Sequence, residues 1–279
     1  MKKTMAWILA LVLALSLAGC GSAAQTSGTK TEEKPPVELT VFAAASMQET
    51  LNRVIELYKQ AAPNVTVTVT YDSSGTLLKQ IAAGADCDLF ISAAQKQMNA
   101  LDGSLKGDTD KNPDGLDLLA QGTRVNLLEN KVTLVVPEGN PAGINSFDDL
   151  KTDKWTLMAL GNSDVPVGSY SLDVLKYLGL DITQLEAAGK VTYGSNVKEV
   201  TTQVSQGAVD CGIIYATDAF SAGLKVVDTA TKEMCKQVIY PAAILSTTKQ
   251  QEAAQAFLDY LRTDECAAVF EAVGFTVVK

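Results

Sequence analysis

The 279-residue sequence predicts an α/β fold with two lobes and a ligand cleft between them. Apolar, β-branched segments alternate with segments whose apolar residues recur at helical spacing, which is typical of parallel βαβ units. The alternation occurs on both sides of a polar, Gly- and Asp-rich stretch at 102–122, and one more strand returns late in the chain. We therefore assign 37–124 and 240–279 to the first lobe and 125–239 to the second. Clefts between lobes are preferred ligand sites.

The first series begins with an apolar strand and an amphipathic helix. Leu51, Val54, Ile55 and Tyr58 recur at i, i+3, i+4 and i+7, the spacing of one helix face. The segment 65–71 alternates Val and Thr as a half-buried strand does. Strands are predicted at 37–43, 65–71 and 88–92, and helices at 47–62, 76–83 and around Met98 and Leu101.

The second series has the same character, and 102–122 is interpreted as irregular surface. Strands are predicted at 132–137, 155–160, 191–193, 211–215 and 238–245, and helices at 170–178, 197–206, 250–261 and 264–272. Trp155 is interpreted as a core residue. Parallel pairing within each series requires right-handed crossovers through these helices.

The N-terminal segment predicts export. Two lysines precede an apolar run that is shorter than the about 20 residues a membrane-spanning helix needs, so 1–19 is interpreted as a signal peptide. The run ends in Leu-Ala-Gly-Cys, which resembles the lipobox of bacterial lipoproteins and implies lipidation of Cys20. The remainder of 20–36 is polar and is predicted to be a flexible tether. The expected location is outside the cytoplasm, anchored to the cell membrane by lipid only.

Composition excludes several functions. The formal charge of −9 becomes −11 once Lys2 and Lys3 leave with the signal peptide, which argues against nucleic-acid binding. The chain has no histidine, which removes Ser-His-Asp and Cys-His catalysis and His-based metal sites. The four remaining cysteines allow two disulfides or four free thiols, and the sequence does not decide between them: Cys87, Cys211, Cys235 and Cys266.

Four strand-to-helix junctions carry Ser, Gly or another small residue. They lie at 42–46, 71–76, 164–169 and 194–197. Each helix start presents unpaired backbone N–H groups and about +0.5 charge, so four converging helix starts would neutralise a dianion without Lys or Arg. A single junction is weak support, because Ser is also an ordinary helix cap.

Five segments resemble the signature of the molybdate-binding receptors of bacterial ABC transporters, the ModA family. They are Val-Phe-Ala-Ala-Ala-Ser at 41–46, Ser-Ser-Gly-Thr-Leu at 73–77, Asp-Leu-Phe-Ile-Ser-Ala at 88–93, Val-Pro-Val-Gly at 165–168 and Gly-Ile-Ile-Tyr-Ala-Thr-Asp-Ala at 212–219. The resemblance runs from about 37 to 277. It implies a periplasmic-binding-protein-like fold of type II and a monomeric receptor that delivers molybdate or tungstate to ABC permease subunits.

The resemblance also implies roles for particular residues. The oxyanion would be held by neutral donors alone, with metal contacts only through the molybdate oxygens and no cofactor. Ser46 and Ser74 would donate through hydroxyl and N–H, Val167 and Val197 through N–H, and Tyr215 through its phenol. Two positions depart from the family pattern: residue 75 is Gly where Ser is frequent, and Val167 stands where Ala is common.

An all-donor site favours an oxyanion without protons. Molybdate, tungstate and sulfate satisfy such a site, whereas hydrogen phosphate carries a proton that wants an acceptor, and an unpaired buried group costs about 1–3 kcal/mol. Three carboxylates lie near the junctions: Asp72, Asp164 and Asp218. If one of them points inward, it can accept the proton of hydrogen phosphate, so phosphate stays an alternative ligand. We interpret all three as solvated loop carboxylates.

Two alternatives remain. The same fold could bind sulfate, phosphate or an organic acid. An enzyme with Ser74 and Lys79 as a Ser-Lys hydrolase is disfavoured, because no oxyanion-hole motif is evident and Lys79 is expected to be solvated. The sequence thus predicts a binding protein rather than an enzyme.

Overall fold

The computed structural model describes residues 35–278, so the predicted signal peptide, Cys20 and nearly all of the tether lie outside the described residues. This part of the chain contains eleven strands and nine α-helices. The strands are Val37–Ala44 (β1), Val65–Asp72 (β2), Leu89–Ile91 (β3), Val125–Asn130 (β4), Val132–Val136 (β5), Met158–Gly161 (β6), Val191–Gly194 (β7), Cys211–Tyr215 (β8), Lys225–Thr229 (β9), Val238–Ile244 (β10) and Thr276–Val277 (β11). The helices are Gln48–Ala61 (α1), Ser74–Ala82 (α2), Gln95–Asn99 (α3), Pro166–Tyr177 (α4), Ile182–Ala187 (α5), Val197–Ser205 (α6), Ala216–Ser221 (α7), Gln251–Tyr260 (α8) and Asp264–Glu271 (α9).

The strands form two sheets. The larger has the order β11-β4-β10-β3-β1-β2, and the smaller has the order β7-β6-β8-β5-β9. In the first, β1 pairs in parallel with β2 and β3, while β10 pairs antiparallel with β3 and β4. In the second, β6 pairs in parallel with β7 and β8, while β5 pairs antiparallel with β8 and β9. The two predicted βαβ series therefore form separate sheets.

One strand lies in a different half from the predicted one. Val125–Asn130 was assigned to the second lobe with the rest of 125–239, but it pairs with β10 and β11 in the six-stranded sheet. The strand β10 begins at Val238, two residues before the predicted boundary of 240. Neither partner of β4 is near in sequence, so local pattern could not place this strand. The division into lobes otherwise stays a prediction.

The inner strands β1 (from Val41 onwards) and β3 are buried on both faces. In β1, Val41 contributes to the main hydrophobic core and Phe42 to a smaller one, as alternation along a strand requires. Phe90 of β3 packs in the smaller core beside Phe42. The main core is continuous across residues of both sheets, and Trp155 is buried in it, as predicted, with its indole N–H donating to the Leu150 carbonyl at 3.1 Å.

Most predicted elements are confirmed, with shifted ends. The helix predicted from 170 begins at Pro166, because proline favours the first helical position. The predicted strand at 155–160 is shorter, Met158–Gly161. The sequence analysis missed β4, α5, α7, β9 and β11, all of them short. Among the described residues, no helix combines the length and apolarity that a bilayer crossing needs.

Candidate functional site

All four predicted junctions contribute to one small cavity. It lies where the ends of β1 and β2 face the starts of α4 and α6, and the space free of protein atoms there is about 190 Å³, part of it open to solvent. Strand ends of open α/β sheets are the expected place for a ligand. The lining residues are Ala44, Ala45, Ser46, Asp72, Ser73, Ser74, Ala93, Val165, Pro166, Val197 and Tyr215.

Ser74 is the first residue of α2 and is fully buried. The preceding residue, Ser73, caps the helix by accepting a hydrogen bond from the N–H of Thr76 at 3.1 Å. The N–H of Gly75 donates to the Asp164 carbonyl at 2.9 Å. The Ser74 hydroxyl oxygen accepts from the N–H of Ala93 at 3.0 Å. The Ser74 hydroxyl donates no hydrogen bond among the described residues, so its proton is free to donate into the cavity.

Ser46 lies in a short 3-10 turn between β1 and α1 and is buried. Its hydroxyl oxygen is 2.8 Å from the hydroxyl oxygen of Tyr240 in β10. The Tyr240 oxygen also accepts from the side-chain amide of Asn130 at 3.1 Å. The prediction from the sequence included neither Tyr240 nor Asn130.

The two valines lie at helix starts, as predicted. Val197 is the first residue of α6, whose cap Asn196 accepts from the N–H of Glu199 at 3.1 Å. Val167 is the second residue of α4 and is buried, but Val165 and Pro166, rather than Val167, line the cavity. Within residues 35–278 no acceptor is found for the N–H groups of the four predicted backbone donors, Ser46, Ser74, Val167 and Val197. First-turn N–H groups have no partner within their own helix.

Tyr215 ends β8 and is fully buried beside the cavity. Its hydroxyl is 3.5 Å from the Ala93 carbonyl, a long contact that leaves room for a better acceptor. Burial raises the pKa of Tyr215 well above its ordinary value, so the phenol stays protonated and can donate. Its ring meets that of Tyr240 edge-on, with 5.8 Å between centroids.

The charges around the cavity are few. Among its described lining residues Asp72 alone is charged, and its carboxylate accepts from the N–H of Ser73 at 2.7 Å. Asp164 forms an ion pair with Lys79 at 2.6 Å, in which the Lys79 side chain is 68% exposed. The interpretation of Lys79 as a solvated residue is thus compatible with its exposure.

The interpretation of Asp218 as a solvated carboxylate is wrong. Asp218 is fully buried in α7, and Lys198 Nζ lies 3.0 Å from its carboxylate and 2.7 Å from that of Glu49. Neither Asp218 oxygen has a well-aligned hydrogen-bond donor among the described residues. Burial raises the pKa of Asp218 to about 6, although Lys198 works in the opposite direction. One feature of the sequence indicates this burial: Asp218 lies in the segment Tyr-Ala-Thr-Asp-Ala, in which it is the only charged residue.

The four cysteines of the described chain are free thiols. Cys87, Cys211 and Cys266 are buried, and Cys235 is partly exposed. The sequence left open two disulfides or four free thiols, and in this structure all four cysteines are free. Burial raises the pKa of Cys87 and of Cys211 to about 12, so these two thiols are unreactive.

The fold is that of a solute-binding protein. A family model described as bacterial extracellular solute-binding protein matches residues 39–276. YvgL of Bacillus subtilis is 36% identical over 279 residues, covering 99% of this chain and 98% of that protein. The Escherichia coli molybdate-binding protein ModA is 32% identical over 272 residues, with 95% of each chain covered. The periplasmic molybdate-binding protein of Azotobacter vinelandii has the same fold, with a TM-score of 0.73 at 21% identity, covering 86% of this chain and 100% of that one.

The chain belongs to the ModA family of ABC-transporter substrate-binding proteins. Its fold is the type II periplasmic-binding-protein fold that the resemblance implied. The family consists of solute-binding proteins and not of enzymes, so the prediction of a binding protein rather than a Ser-Lys hydrolase is confirmed.

Proposed function

We propose that this chain captures molybdate, and with it tungstate, outside the cytoplasm and delivers it to the permease of an ABC importer. The observation that carries the proposal is one cavity to which all four junctions contribute residues, with the hydroxyl-bearing Ser46, Ser74 and Tyr215 in its wall and no Lys or Arg among its described lining residues. The five predicted residues would bind the oxyanion oxygens: Ser46, Ser74, Val167, Val197 and Tyr215. Relatives in the same family that are named for molybdate support this choice of anion.

The donor set favours an unprotonated tetrahedral dianion. The proton-donating groups are neutral, and fixed N–H dipoles at helix starts replace water around the anion without adding a charged partner. Asp72 is the one carboxylate among the described lining residues, and it could accept the proton of hydrogen phosphate. One of its oxygens accepts from the N–H of Ser73, which leaves further acceptor sites on the carboxylate.

A melting experiment with a panel of anions tests the proposal. A ligand at 100 times its Kd stabilises the folded state by about 2.7 kcal/mol. At about 2–4 °C per kcal/mol for a chain of this size, the melting temperature should rise by about 5–10 °C. We expect this shift with micromolar molybdate and tungstate and little shift with sulfate or phosphate. An equal or larger shift in melting temperature with sulfate or phosphate would identify that anion, and not molybdate, as the ligand.

The variant Asp72→Asn separates molybdate from phosphate. Removing a carboxylate from the cavity should tighten molybdate binding, because like charges repel at short range. If the variant instead loses phosphate binding that the natural chain possesses, phosphate is the ligand. Isothermal titration with each anion measures both effects, and Asp114→Asn, at an exposed loop position, is the matched control.

We further propose that Cys20 carries the lipid that holds the receptor at the membrane. The support is the Leu-Ala-Gly-Cys sequence after an apolar run. Cells supplied with labelled palmitate should incorporate the label into the natural chain and not into Cys20→Ser. Equal labelling of both would rule out this anchor.

A further inference from the structure

We infer that Tyr240, held by Asn130, is a positioning residue that directs the hydroxyl proton of Ser46 towards the bound oxyanion. The inference rests on the proposed function and adds two residues to the site. Neither touches the cavity, and both act through Ser46. The argument follows the protons along the chain of hydrogen bonds from Asn130 to Tyr240 to Ser46.

The orientation of the Asn130 amide is fixed by its neighbours. Its carbonyl oxygen accepts from the N–H of Lys131 at 2.8 Å. Its NH₂ group must then be the donor to Thr217 Oγ1 at 2.9 Å and to the Tyr240 hydroxyl at 3.1 Å. A flipped amide would place NH₂ against the N–H of Lys131 and lose that bond, although its oxygen could still accept from the two hydroxyls. Asn130 is buried, so such a loss would be uncompensated by water.

Tyr240 therefore receives one hydrogen bond and has one proton to give. Burial raises the pKa of Tyr240 well above its ordinary value, so the phenol is neutral and keeps that proton. The Ser46 hydroxyl oxygen, 2.8 Å away, is the acceptor within reach. If Ser46 donated to Tyr240 instead, the fully buried phenol proton would have no acceptor among the described residues. An unpaired buried donor is the costlier arrangement.

Ser46 is then left with its own proton and a place on the cavity wall. The Ser74 hydroxyl is in the same situation, because its oxygen accepts a hydrogen bond from the N–H of Ala93. Both serines thus receive a hydrogen bond from the protein interior and can donate into the cavity. The polarity of the donor set is fixed before the anion arrives, and this favours an oxyanion that carries no proton.

A double-mutant cycle tests the inference in the full chain. Tyr240→Phe should raise the Kd for molybdate about 3- to 10-fold, as expected for the loss of one buried neutral hydrogen bond. In the Ser46→Ala background the same substitution should change the Kd less than twofold, because its effect passes through Ser46. Tyr177→Phe, at a tyrosine that is 55% exposed, is the matched control and should leave the Kd unchanged.

Other outcomes overturn the inference. Equal effects of Tyr240→Phe in both backgrounds would show a general structural role, and no effect in the natural background would show that Ser46 needs no partner. If the natural chain itself fails to bind molybdate, the proposed function fails and the inference with it. A crystal structure with molybdate gives a check that needs no variant. An oxyanion oxygen should lie within hydrogen-bond distance of Ser46 Oγ while Ser46 stays on Tyr240, and a Ser46 side chain turned away from either would refute the assignment.

Discussion

Gly75 lies where the backbones of two halves of the site are in direct contact. Its N–H donates to the Asp164 carbonyl, and a Cβ atom added at Gly75 would lie 2.4 Å from that carbonyl oxygen and 2.7 Å from the Asp164 Cα. Gly75 belongs to a helix packed on the six-stranded sheet, whereas Asp164 follows a strand of the five-stranded sheet. The substitution Gly75→Ala must therefore push these two segments apart. The Asp164 carbonyl oxygen and Cα cannot move aside by a side-chain rotation, because both are backbone atoms.

The expected loss can be worked from these contacts. A lost hydrogen bond costs about 0.5–1.5 kcal/mol, and overpacking costs about 1–3 kcal/mol. The sum of about 1.5–4.5 kcal/mol corresponds to a Kd for molybdate that rises about tenfold or more. The melting temperature of the ligand-free variant should change less than that of the ligand-bound variant, because separation of the segments relieves the clash.

Isothermal titration of Gly75→Ala with molybdate measures the effect, with Gly107→Ala as control. Gly107 has no neighbouring atom within 4 Å of an added Cβ, so its substitution should leave the Kd unchanged. A Gly75→Ala chain that binds within twofold of the natural one would refute the reasoning. It would mean that ligand binding does not need this approach. Gly75→Ser, which introduces the residue that is frequent in the family, should behave like Gly75→Ala.

Three further predictions concern single side chains. Ser74→Ala and Tyr215→Phe should each raise the Kd for molybdate about 10- to 100-fold, as expected for the loss of one hydrogen bond to a charged acceptor, while Lys79→Ala should not, since its ion pair is exposed. A titration in which Lys79→Ala loses binding would contradict the neutral-donor site. Burial raises the pKa of Asp218 from 3.8 to about 6, so the folded chain holds this proton more tightly than the unfolded chain, and stability from this group falls as pH rises from about 4 to about 6. Asp218→Asn should flatten that fall in melting temperature, and equal slopes would count against it. Lys198→Met leaves a buried carboxylate without its cation and should cost about 3 kcal/mol in urea unfolding at pH 7, less at pH 5; a loss no larger than that of exposed Lys79→Met would disprove the role of this ion pair.

Local patterns in the sequence predicted the parallel part of the fold well. Strand β1 and helix α1 each combine a clear periodicity with a residue that ends it, such as the Pro63 that follows the first helix. The junctions that line the cavity were found for the same reason, because a strand end, a small residue and a helix start are neighbours in sequence. Ser46, Ser74 and Val197 line this cavity, and their role as ligand donors stays a prediction.

The residues behind the cavity wall could not be found in this way. Tyr240 and Asn130 come from β10 and β4, which meet only through antiparallel pairing of distant segments. One local signal existed: Tyr240 precedes Pro241 within a strand, and proline in an interior strand marks an irregularity. The register does shift between Tyr240 and Pro241. The shift indicated a special position, but it could not name Ser46 as the partner 194 residues away.

Lys198, which is next to a predicted donor in the sequence, also lies away from the cavity wall. Lys198 follows Val197 directly, yet its ammonium lies between Glu49 of α1 and Asp218 of α7 rather than at the cavity. Burial alone would lower the pKa of Lys198, but the two carboxylates more than offset it and raise the pKa, so the charge is retained. Each of the three helices joined by this lysine starts close to a predicted donor. Helix α1 follows Ser46, α6 begins at Val197, and α7 follows Tyr215. A charge compensated by two carboxylates cannot also neutralise a ligand. The lysine therefore joins the three elements that carry the predicted donors, and in the proposed function the anion would contact neutral hydroxyl and N–H groups instead.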